Sequence, residues 1–144
     1  MTAPLTIALP DNAHPLVRKA ASILTREIFE RAEVHASMGS AAGATIRLDV
    51  EPGFGKDGFR LESWNGAGVR IVGDTPLGLM HGVGKFLRTS GYGKRSFLPS
   101  AWRGTSVPEC SLRGMYCAFN FNNWYAASRR DLFARYMEEL ALWG

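Results

Sequence analysis

The sequence predicts an α+β fold: a mainly antiparallel sheet with two helices on one face, followed by a strand and a helix of different character. Three observations predict it. Short stretches such as Ile46-Arg47-Leu48-Asp49-Val50 alternate apolar and polar residues, the habit of strands with one buried and one wet face. Two longer stretches repeat apolar residues at helical spacing. Beyond Pro99 the run Leu112 to Asn120 is apolar on both faces, which suits a parallel strand covered on both sides.

In order along the chain, Leu5 to Leu9 is a short strand closed by Pro10. Asp11 and Asn12 offer N-caps and Pro15 fits a first helical turn, after which Leu16, Ala20, Ile23, Leu24 and Ile28 line one face of a helix from 14 to 32. The small residues from 36 to 44 predict a loop. Three alternating strands follow around Ile46 to Val50, Phe59 to Glu62 and Val69 to Ile71. Asn65-Gly66-Ala67-Gly68 joins the last two, with residues that accept positive φ.

Asp74 or Thr75 caps a second helix that has Pro76 in its first turn and Leu79, Met80, Val83, Phe86 and Leu87 along its stripe. Gly78, Gly82 and Gly84 lie inside it, each costing about 1 kcal/mol against Ala. A close approach of the helix backbone to the sheet offsets that cost. Ser90-Gly91 ends the helix, and Lys94 to Leu98 adds a strand.

Ala101 to Ser111 is polar and irregular and leads into the doubly apolar strand. Ser128 and Asp131 are spaced as a capping box, and Leu132, Phe133, Tyr136, Met137, Leu140 and Ala141 give a helix closing on Gly144. Strand, loop and helix make the first half of a parallel crossover with no second strand to reach, so either this helix packs back on the first sheet or the sequence is the front piece of a longer protein.

The chain has 144 residues, 46% of them apolar, and 17 Lys and Arg against 13 Asp and Glu for a net charge of +4. A chain of this size buries roughly two-thirds of its unfolded surface, so its core needs no metal or disulfide. The composition excludes disordered, collagen-like and disulfide-dense classes. The sequence pI is about 9.4, but the basic residues are scattered along the chain, and no nucleic-acid partner is expected. The first 30 residues lack a basic segment followed by a long apolar run, and no stretch reaches the roughly 18 apolar residues of a membrane span. No signal peptide or membrane partner is therefore expected, and a cytoplasmic location is favoured. Cys117, within an apolar run, reads as an inert buried thiol; Cys110 is the other cysteine.

Recognised catalytic and cofactor patterns are missing. Gly84-Lys85 is followed by Phe86, with Leu79 where a phosphate-binding loop needs its first glycine, and no dinucleotide fingerprint exists. His14, His35 and His81 share no metal-ligand spacing, so neither metal nor cofactor is expected, and His81 reads as a polar packing residue. Glu138 and Glu139 point about 100° apart on a helix and read as solvated surface. Asp49, Glu51 and Glu62 fall on the wet face of the sheet, a poor place to raise a carboxyl pKa. No acid/base pair is assigned.

Functional texture concentrates in Asn120, Phe121, Asn122, Asn123, Trp124 and Tyr125, just after the doubly apolar strand. Amides donate and accept hydrogen bonds while Trp and Tyr supply flat apolar faces, a combination that suits hydroxyl-rich rings. Ligands commonly bind beyond the carboxyl ends of parallel strands. An Asn-rich turn with two aromatics in the core is the plainer reading.

Gly78 to Arg88, Trp102 to Pro108, Leu112-Arg113-Gly114-Met115-Tyr116 and Tyr136 to Gly144 together resemble the N-terminal part of glycoside hydrolases of the β-hexosaminidase and α-glucuronidase type. The resemblance implies an accessory α+β domain over 1–105, and over 106–144 the first strand and helix of an incomplete (β/α)₈ barrel, an architecture that takes roughly 250 residues. It implies that Arg113 contacts sugar hydroxyls. Its partners would be a carbohydrate, met through the full-length protein, and the rest of the catalytic barrel, whose later strands carry the catalytic carboxylates. The 144 residues alone would be inactive. The alternative is a stand-alone, non-catalytic α+β binding or interaction module.

Overall fold

Period-two alternation puts Ile46, Leu48, Phe59, Leu61, Val69 and Ile71 on one side of a sheet, and two amphipathic helices cover that side. The computed structural model describes residues 5–116 and 124–144. In chain order these form β1 (Leu5–Ala8), α1 (Pro15–Ala32), β2 (Ala36–Met38), β3 (Ile46–Val50), β4 (Phe59–Trp64), β5 (Gly68–Gly73), α2 (Pro76–Thr89), β6 (Gly91–Gly93), β7 (Ser96–Leu98), β8 (Gly104–Ser106), α3 (Trp124–Ala127) and α4 (Arg130–Trp143). The α+β class, with helices on one face, is as expected.

The main sheet runs β2-β1-β3-β5-β4-β8. Antiparallel pairing joins β5 to β4 and β4 to β8, and β6 and β7 form a separate antiparallel hairpin. The pairs β1–β2, β1–β3 and β3–β5 are parallel; α1 makes the crossover that joins β1 to β2. Two strands lie where none was expected. Ala36 to Met38 pairs with Leu5 to Ile7 inside the predicted loop, and Gly104 to Ser106 pairs with Phe59 to Leu61 inside the irregular stretch. Both are edge strands three residues long, held by backbone bonds that leave no side-chain period to read.

Helix starts also differ in detail. His14, rather than Asp11 or Asn12, caps α1, its Nδ1 accepting from the Leu16 amide at 3.1 Å. Thr75 caps α2, its Oγ1 accepting from the Gly78 amide at 3.0 Å. The capping box at α4 is not formed. Ser128 closes α3 by donating its amide to the Trp124 carbonyl at 2.8 Å, so α4 starts later, and Asp131 pairs with Arg129 Nε at 3.0 Å. Leu112 to Tyr116 joins no ladder among the described residues; the remainder of that expected strand, with Cys117, lies outside them. Cys110 is exposed.

The glycines of α2 do allow close approach. A Cβ on Gly78 would lie 2.5 Å from the Gly58 carbonyl, and one on Gly82 would lie 2.8 Å from Ile71 Cγ2, so both glycines face the sheet and its loops. Gly84 instead faces α4, where a Cβ would collide with the Leu142 carbonyl. Leu142 is 3% exposed and completes the core from α4.

A seam of charge fastens α4 to α1. Glu138 accepts from Arg26 at 2.8 Å and pairs with Lys19, so it is no free surface carboxylate. Arg135 pairs with Glu30 and, at 3.3 Å, with Glu27, whose buried carboxylate also meets Arg26 and Arg31. On the sheet face away from the helices, Asp49 is 5% exposed rather than wet. Arg47 holds it at 2.8 Å and Arg70 at 2.6 Å, and Arg70 also reaches Glu62 at 2.7 Å. Burial alone would push the Asp49 carboxyl up, but the two guanidinium hydrogen bonds hold it below its ordinary range.

Candidate functional site

Arg113 follows the irregular stretch after β8 and lines a cavity of about 660 Å³ between α2, α4 and the 112–115 segment. Leu77 and His81 form one wall, and Met137, Leu140 and Trp143 form the other. No carboxylate lines it among the described residues. Arg113 Nη2 lies 3.7 Å from Asp57 Oδ2, and Nη1 is buried without a hydrogen-bond partner. A guanidinium N–H held in an apolar-walled hollow can donate to an incoming hydroxyl or carboxylate oxygen.

His81 is 4% exposed, and its Nδ1 lies 3.3 Å from the Asp57 carbonyl, so its ring hydrogen sits on that nitrogen. Burial lowers its pKa, and the nearby Arg113 and Arg88 charges act in the same direction. His81 thus stands neutral beside Arg113, in keeping with a packing residue. Its signal in the sequence was its place on the apolar face of α2.

The other expected site residues divide. Asn120, Asn122 and Asn123 lie outside the described residues. Trp124 and Tyr125 do not line the cavity. They stack with α4, the Trp124 ring 5.2 Å from Tyr136 between centroids and the Tyr125 hydroxyl 3.4 Å from that of Tyr136. Asp57, which contacts both Arg113 and His81, was not singled out in the sequence, because nothing local marks it. Among the described residues no group of three His, Cys, Asp or Glu is placed to hold a metal ion. No described helix is long and apolar enough to cross a membrane.

No family model matches the chain, and no curated protein matches it. Its fold, however, is one that glycoside hydrolases carry, as comparison with solved structures shows. The GH20 β-N-acetylhexosaminidase of Streptomyces coelicolor superposes with a TM-score of 0.57 and 22% identity over 76% of this chain. The β-hexosaminidase of Streptomyces plicatus, in complex with its product GlcNAc, gives 0.55 and 24% over 73%. The GH20 exo-β-N-acetylglucosaminidase of Vibrio harveyi gives 0.55 and 13% over 72%. The chain spans 23%, 22% and 15% of those three enzymes, respectively. At these identities the likeness is one of fold.

Proposed function

We propose that this chain is the accessory α+β domain, over 1–105, and the first βα unit, over 106–144, of a glycoside hydrolase acting on carbohydrate, and that these residues alone do not turn substrate over. The observation that carries the reading is the fold likeness, which takes in about three-quarters of this chain but a quarter or less of each enzyme. In this reading Arg113 donates to sugar hydroxyls, with Asn120, Asn122 and Asn123, and Trp124 and Tyr125 at the start of α3, as further contributors to carbohydrate binding. One βα unit cannot bring two carboxyl groups to a glycosidic bond.

An exposed apolar surface supports the same reading over a stand-alone module. Leu112 is 91%, Tyr116 83% and Trp143 66% exposed, beside Met115 and Met137. A surface of that kind fits further barrel elements packing there. The purified chain, incubated with aryl N-acetylglucosaminides, should release no aryl alcohol; turnover would overturn the proposal. It should also bind a hydrophobic dye, whereas a monodisperse, dye-silent monomer would favour the stand-alone module.

A further inference from the structure

We infer that Asp57, in the β3–β4 loop of the small domain, is the positioning residue that aims Arg113 into the cavity. The inference rests on the proposed role of Arg113 for its meaning but not for its geometry. The loop is anchored on several sides before it reaches Arg113. Asp74 Oδ1 accepts from the Gly53 and Phe54 amides, each at 2.7 Å, which fixes the start of the loop to the head of α2. Lys56 and Asp57 both adopt left-handed backbone, at φ 52° and 58°, which turns the Asp57 side chain sharply against its neighbours. The Gly58 carbonyl then packs on Gly78, where a Cβ would lie 2.5 Å from it.

Within that frame the three oxygens of Asp57 have partners. Thr75 Oγ1, the cap of α2, donates to Asp57 Oδ1, and the Asp57 carbonyl meets His81 Nδ1. That leaves Oδ2 facing Arg113 Nη2. Lys56 Nζ donates to the Glu109 carbonyl at 2.8 Å, tying the same loop to the segment that leads into Arg113. Arg113 and Asp57 are both partly shielded, at 19% and 29% side-chain exposure, so their attraction is screened less than at an open surface. One guanidinium nitrogen is held by the small domain, while Nη1 is buried without a partner. The small domain thereby becomes part of the binding site rather than a neighbour of it.

The test uses side-chain NMR of the ¹⁵N-labelled 144-residue chain, with the Arg113 Nε–Hε signal assigned by its loss in Arg113→Lys. In the wild type that signal should show rigid-range ¹H–¹⁵N NOE values and slow solvent exchange. In Asp57→Asn it should fall to the behaviour of Arg95, whose side chain is 80% exposed, while backbone amide signals of β4 and β5 stay in place. Asn tolerates left-handed backbone, so the substitution removes the charge and spares the turn. Thr75→Val, which never touches Arg113, should loosen it as well and serves if Asp57→Asn does not fold. An Arg113 signal equally rigid in both variants, or already as mobile as Arg95 in the wild type, overturns the inference. Titration with N-acetylglucosamine separates it from the sugar reading: a rigid Arg113 that does not respond to the sugar sinks that reading and leaves the positioning intact.

Discussion

Gly84 in α2 lies directly under the carbonyl oxygen of Leu142 in α4, and Arg88, one turn on, donates to the same oxygen at 2.9 Å. The last turn of α4 is thus clamped between a missing side chain and a present one. Intrinsic propensity favours Gly84→Ala by about 1 kcal/mol. The added methyl would meet a backbone carbonyl that cannot rotate away, an overpacking that costs about 1–3 kcal/mol. The variant should therefore unfold at lower urea concentration and lose hydrogen-exchange protection in α4; an unchanged midpoint would refute the clamp.

Asp49→Asn tests the guanidinium-held carboxylate. Its folded pKa lies below the ordinary 3.8, so its contribution is full above that pH and is lost as pH falls through the folded value. At neutral pH the variant should be less stable by about 2 kcal/mol. Urea melts should show this gap closing below about pH 4; a gap constant with pH would contradict it.

His81 works through the opposite charge but the same side of the titration. Burial lowers its folded pKa below 6.5, so acid charges the unfolded state first and stability falls as pH drops below that value. In His81→Gln this loss between about pH 6.5 and 5 should flatten. The comparison needs thermal melts of both proteins across that range, and parallel curves would exclude His81 as the source.

Glu27→Gln addresses the α1–α4 seam. The carboxylate is 2% exposed and meets Arg26 at 3.2 Å, Arg31 at 2.7 Å and Arg135 at 3.3 Å. Removing its charge leaves three guanidiniums short of a partner and should cost about 3 kcal/mol. Glu33→Gln, which removes an exposed pair with Arg95 at 3.6 Å, should stay within about 0.5 kcal/mol. Equal effects in chemical denaturation would show that burial is not what gives the seam its strength.

Much of the framework was legible because its signals are local. Leu16 to Ile28 and Leu79 to Leu87 carry a helical period, Ile46 to Val50 a strand period, and Asn65-Gly66 turns with φ of 42° and 78° between β4 and β5. Ala36 to Met38 has no such period and becomes a strand through the exposed edge of β1. Ser128 and Asp131 had the right spacing for a cap, but a helical turn from Trp124 had already engaged the Ser128 amide.

The candidate site divides in the same way. The sequence pointed to Arg113 through resemblance alone, whereas Asp57 reaches it across 56 positions of sequence and His81 reaches Asp57 across 24. The sequence by itself determined the two long helices α1 and α2, the alternating strands β3 to β5 and which of their faces are apolar, because neighbouring residues on one element express those periods. Only the tertiary structure decided the parallel pairings, the burial of Asp49 and Glu27, and the placing of Asp57 against Arg113. Each depends on distances between residues far apart in the chain, and such distances exist only once the core has closed.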